Sequence, residues 1–109
     1  MEIVNLTPHD VYLAGADVTL PSRGIPPRVS LETTKMDDLD VAGHPATVEI
    51  VVERPGEVTD LPPAQAGIIY IVSRMVAEAC TDRHDLCYPT ALIRDDQGRI
   101  VGCGALGIR

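Results

Sequence analysis

The chain contains no phenylalanine and no tryptophan, and only three tyrosines. A core without large rings has to be filled by Val, Ile, Leu and Ala, whose β-branched members suit a pleated sheet. Cysteine is scarce too. Three residues, an odd number at wide spacing, exclude a disulfide framework. Basic residues are outnumbered, nine Lys and Arg against sixteen Asp and Glu, for a net charge of −7 and a pI near 4.7. That balance argues against sequence-independent binding to nucleic acid, which needs a basic surface. It also disfavours an anionic membrane surface. A small anionic ligand stays open, because a few local Arg residues override the global field. No apolar run approaches the roughly 20 residues of a membrane span, and MEIVNLTPHD lacks the basic region and apolar core of a signal peptide. A soluble intracellular protein is expected.

What is present points to one compact domain over residues 1–109. The hydrophobic share of 45% and charged share of 23% are those of a globular chain. Nine Pro and nine Gly divide it into many short elements. The organising stretch is Gly67–Cys80, GIIYIVSRMVAEAC. Its apolar run Ile68–Val72 predicts a strand covered on both faces. Ser73 then predicts a helix N-cap, its hydroxyl accepting from a first-turn N–H. Met75, Val76 and Ala79 are expected near one face of that helix.

Elsewhere, Glu2–Leu6 reads as an opening strand, and Val11–Leu13 and Asp17–Leu20 as a hairpin through Ala14-Gly15-Ala16. Arg28–Thr34 alternates, which predicts a half-buried strand with Val29, Leu31 and Thr33 inward. The acidic Lys35–Ala46 reads as a loop or an excursion at the domain edge. Thr47–Glu53 reads as a strand ended by Arg54-Pro55-Gly56, and Glu57–Gly67 as an extended crossing in polyproline geometry. Thr81–Thr90 reads as polar loop, and Ala91–Arg94 with Arg99–Cys103 as a hairpin around Asp95–Gly98. The expected fold is α+β: a mainly antiparallel sheet of about seven short strands with one helix packed on it.

The candidate chemistry is sparse. Cys80, His84 and Cys87 carry metal-ligating groups, but the pattern lacks a C-x2-C pair and a fourth ligand unless Cys103 or His44 joins them, so no metal is expected. Ser73 with His9 or His84 and Asp85 can be written as a triad, yet V-S-R is not the glycine-flanked elbow of a hydrolase, and a cap is the better reading. Cys80 lies at the helix C-terminal side, where the dipole raises a thiol pKa. There is no phosphate-binding glycine loop. Gly102-Cys103-Gly104 reads as a place where strands approach closely, and Asp37-Asp38 and Asp95-Asp96 as solvated turn residues. The more informative residues are Asn5, Thr7 and His9 in NLTPH, and Arg83 with Asp85 in RHDL. Asn and Thr beside Pro often bond their own backbone, whereas a His side chain can donate and accept toward a ligand. Arg83 and Asp85 form either an ion pair or a fork for a planar anion.

The segments IVNLTPHDV, GEVTDLPPAQAGIIYIVSRMVAEA, RHDL-x-x-P and IRDDQGRIVGCGAL resemble a family of short, mostly uncharacterised phage and actinobacterial proteins. The similarity covers both ends and most of the second half, and leaves Gly15–Ala46 without a motif. Cys80, His84 and Cys87 depart from the family pattern. The resemblance implies a phage-type accessory protein, in the host cytoplasm if phage-encoded. Its expected role is to bind and sequester a small nucleotide-derived anion, such as an immune signal. By that analogy the ligand sits near Asn5, Thr7 and His9, the helix start at Ser73 and Arg74, and Arg83 with Asp85. Arg meets phosphate, His9 and Asn5 meet ribose or base edges, and helix N–H groups complete the anion contact. No cofactor is expected, and catalysis is the less favoured reading. The alternatives are a small hydrolase with His9 or Asp85 as base, and a protein-binding module that inhibits a host factor. Homo-oligomerisation is expected, because a small aromatic-poor β-rich domain has a limited core and exposed edges.

Overall fold

The computed structural model describes residues 1–108. Eight strands and one helix follow in the order β1 (Glu2–Asn5), β2 (Val11–Leu13), β3 (Val18–Leu20), β4 (Arg28–Asp40), β5 (Thr47–Thr59), β6 (Ile68–Ile71), α1 (Arg74–Ala79), β7 (Leu86–Arg94) and β8 (Ile100–Gly107). Six strands form one sheet in the order β1-β6-β7-β8-β2-β3, and β4 and β5 form a separate two-stranded sheet. The α+β class with a single helix is therefore correct.

Antiparallel ladders carry most of the pairing, in the β4–β5, β7–β8 and β2–β3 hairpins. Three parallel pairings also occur: β1 with β6, β6 with β7, and β2 with β8. Only the β6–β7 crossover uses the helix. The β4–β5 excursion lies between β1 and β6, so several parallel pairs coexist with one helix.

The strand at the centre obeys its sequence. Ile71 and Cys87 are register partners and share a face. They form one core cluster with Val11 and Cys103, supported by Ile69, Leu13, Leu20 and Leu106. The opposite face carries Tyr70 and Leu86, which pack with Val72, Leu6 and the helix residues Val76 and Ala77. An apolar run without alternation is what a strand between two cores requires. Fully burying Ile71, Val72 or Val76 contributes about 1.5–3 kcal/mol each.

The sheet curls until its edges meet. Asn5 at the end of β1 bridges to Ser22 just past β3, and the Arg23 N–H donates to the Asn5 carbonyl at 2.8 Å. The enclosed cluster is filled by Val, Ile, Leu and Cys side chains. A narrow curled sheet leaves little room for large rings, which matches the absence of Phe and Trp.

Several boundaries differ from the sequence expectation. Lys35–Asp40 is strand rather than loop, because β5 pairs with it down to Asp40↔Thr47. Arg54-Pro55-Gly56 does not end β5, which runs on to Thr59 through an irregularity opposite Val29–Leu31. Only Val29 of the alternating set is half-buried, while Leu31 and Thr33 are exposed. β7 begins at Leu86, inside the expected loop. On α1 the inward residues are Val76 and Ala77, and Met75 faces solvent.

Candidate functional site

The NLTPH segment folds as a self-satisfied turn at the sheet seam. Asn5 is 1% exposed. Its amide nitrogen donates to the carbonyls of His9 at 2.8 Å and Leu20 at 3.0 Å. Its Oδ1 accepts from the Thr7 N–H at 3.0 Å and the Thr7 hydroxyl at 2.6 Å. Ser22 Oγ donates to the Thr7 carbonyl, and Ser22 N–H donates to Asp10 Oδ1 at 3.1 Å. These contacts make Asn5 the staple of the seam. They leave its amide no capacity for a ligand.

Thr7, His9 and Asp10 of the same turn line an open groove of about 350 Å³, whose lining also includes Val11, Leu92 and Ile100. Gly102 is at its edge. A Cβ there would lie 2.8 Å from the Tyr12 ring and 3.1 Å from the Tyr12 carbonyl, so the close approach of β8 to β2 requires glycine. The lining is mainly apolar, with the polar groups gathered on the turn. Such a surface suits a flat organic moiety held by a few oriented hydrogen bonds.

Arg83 and Asp85 are an internal pair. Arg83 Nε and Nη2 donate to the two Asp85 oxygens, each at 2.8 Å, and Nη2 also donates to the Pro62 carbonyl at 3.0 Å. The guanidinium holds the Asp85 carboxyl below its ordinary value, and the carboxylate raises Arg83 in return. The pair ties the Pro62 segment to the start of β7. Register places Asp85 two positions upstream of the level of Asn5 and two strands away, on the order of 12 Å at ordinary strand spacings.

Ser73 caps α1, its hydroxyl accepting from the Val76 N–H at 3.3 Å. Arg74 pairs with Glu78 at 2.9 Å, and its guanidinium lies 5.4 Å from the Tyr88 ring centroid. Of the residues expected at a ligand site, only Thr7 and His9 line this groove. Asn5, Ser73, Arg74, Arg83 and Asp85 are engaged with other parts of the chain. A second, wider cavity of about 510 Å³, lined by Leu6, Gly24, Ile25, Asp60, Leu61 and Pro62, takes in none of them.

The thiols are not disposed for chemistry. Cys87 is buried, its Sγ 3.5 Å from the Tyr70 carbonyl, and burial pushes its pKa up to about 11, with Cys103 adding to the shift. Burial, and then Asp82, raises Cys80; burial raises Cys103. Among the described residues no three His, Cys, Asp or Glu side chains gather as a metal site, and no helix is long and apolar enough to cross a membrane.

The groove residues that the sequence does not single out are Asp10, Val11, Tyr12, Pro89, Leu92, Ile100 and Val101. Gly102 is where the Gly102-Cys103-Gly104 signal of close strand approach is met, against Tyr12. The others come together only through the β2–β8 pairing of Leu13 with Cys103. Compared with known proteins, the chain matches no family model, no curated protein and no solved structure.

Proposed function

We propose that the protein is a small phage-type accessory protein that binds, without turnover, a nucleotide-derived ligand in the groove beside NLTPH. The observation that carries this reading is the groove itself, where Thr7, His9 and Asp10 stand over an apolar wall. The base and sugar of such a ligand suit it: a flat apolar face against Leu92 and Ile100, polar edges toward His9, Thr7 and Asp10. The phosphate remains at the groove mouth, because no Lys or Arg lines the groove among the described residues. Arg83 and Arg74, the cations first expected there, are committed to Asp85 and Glu78.

Binding is favoured over catalysis by the state of the reactive groups. Ser73 accepts from its own helix, Asp85 is neutralised by Arg83, and burial raises the pKa of all three thiols. Sequestration in the host cytoplasm is the biological role this implies.

The test is a thermal-shift screen of nucleotide derivatives, followed by recovery of the ligand after denaturation. A shift of several degrees that is lost in Leu92→Arg, with intact ligand recovered, supports the reading. No shift with any derivative sinks it. Recovery of a cleaved product makes the protein an enzyme, with His9 as the first residue to substitute.

A further inference from the structure

The β4–β5 arm is the part of the molecule that its own body leaves uncovered. The chain exposes 7636 Å², whereas a compact monomer of its mass exposes about 5,900 Å². The surplus is thus about 1,700 Å². The radius of gyration is 18.2 Å, against about 13 Å for a compact chain of this length.

Register sorts the arm into two unlike faces. One carries Lys35 opposite Val51 and Asp38 opposite Glu49. The Lys35 ammonium lies 3.0 Å from Asp38 and 3.7 Å from Glu49, so this face is ion-paired and suited to water. The other carries Val52 opposite Thr34, Ile50 opposite Asp37 and Val48 opposite Leu39, with Arg54 opposite Glu32 at its body end. Leu39, Val48 and Ile50 are 50%, 51% and 40% exposed.

We propose that this second face is a homodimer interface, packed face to face on the same face of a second copy about a two-fold axis. The area fits. The arm has two faces, and covering one removes a share of that surplus on the order of several hundred Å² per chain. A standard stable interface takes about 800 Å² from each partner. Charge order fits too. Arg54 stands toward the body beside Glu32, and Asp37 toward the tip. Antiparallel arms therefore bring the body end of each copy, with its Arg54 cation, toward the partner's Asp37 and keep the two Asp37 side chains apart. Two ribbons stacked this way make a two-layer sandwich, whereas a lone two-stranded ribbon is marginal in water. The occupant is a second copy because the face complements itself.

The experiment is sedimentation velocity on the full chain, with far-UV circular dichroism as a check on folding. The native chain is expected to sediment as a dimer at micromolar concentration. Ile50→Asp raises the dimer dissociation constant about 100-fold or more. Arg54→Asp and Asp37→Arg each raise it about tenfold, and the two together restore it to within about threefold. Met75→Asp, on the exposed side of α1, leaves it unchanged. A native monomer overturns the proposal, as does a dimer indifferent to Ile50→Asp or a charge swap that fails to restore. A monomer that recruits a different protein through the arm overturns it as well. The groove lies on β2, β7 and β8 and their flanking segments, so dimer loss and ligand loss are read separately.

Discussion

At the scale of single residues, polar side chains that resemble site residues turn out to fasten the fold. Asn5 satisfies two carbonyls and two Thr7 donors while almost wholly buried. Asn5→Ala removes these hydrogen bonds from an almost wholly buried position, and is expected to destabilise the protein by about 2 kcal/mol in chemical denaturation. The Arg83–Asp85 pair makes a pH prediction. The folded-state pKa of Asp85 lies below its ordinary 3.8. Its contribution to stability is therefore fully present above about pH 4 and is lost as pH falls through the depressed folded value. Asp85→Asn should lower stability at pH 7 by about 2 kcal/mol and flatten its dependence below pH 4. Thermal melts of both proteins between pH 2 and 7 (a range set by these carboxyl values) measure the difference. Parallel curves would show that Asp85 is not the titrating group.

At the scale of elements, local signals were legible and distant pairings were not. The Ser73 cap and the β6 run could be read because their causes lie within a few residues. The turn at Asp95–Gly98 was equally local: Asp95 accepts from the Gln97 and Arg99 N–H groups, and Gly98 adopts φ +79°. The strand Lys35–Asp40 was hidden, because three Asp in six residues speak against a strand and the partner β5 begins beyond a turn. Pro55 also misled, since proline is tolerated on a ribbon in which every strand is an edge. The site was legible only at Thr7 and His9. Most partners that occupy the other candidates are local, Thr7 and His9 for Asn5, Val76 for Ser73, Glu78 for Arg74 and Asp85 for Arg83, and only the Leu20 and Pro62 carbonyls are remote in sequence. One element-level test follows from Val29 and Val58 being register partners at the arm base. Joining them by a short glycine-containing turn that replaces 31–56 should leave a cooperatively folding body with its groove-dependent thermal shift intact. A molten product would show that the arm is part of the folding unit.

At the scale of the whole molecule, shape is the discriminating property. The principal extents are 57 × 38 × 22 Å, and each β4–β5 strand of 13 residues spans about 43 Å. Small-angle scattering on the Ile50→Asp monomer should return a radius of gyration near 18 Å, plus hydration. A value near 13 Å, that of a compact chain, would mean that the arm folds back on the body.

The pairing of the opening strands also sets the order in which the molecule can be completed during synthesis. The first strand pairs with β6, and the Tyr12 carbonyl meets Cys103, 91 positions later. The opening residues therefore wait for nearly the last ones before their pairings close, and loop closure over such distances is slow. Meanwhile the β4–β5 hairpin, whose ladder is wholly local, has all its own pairing partners outside the ribosome early, and a second copy supplies the layer that a lone ribbon lacks. A ribbon that forms first and carries its own apolar face has the opportunity to find its twin on a neighbouring nascent chain before either body has closed.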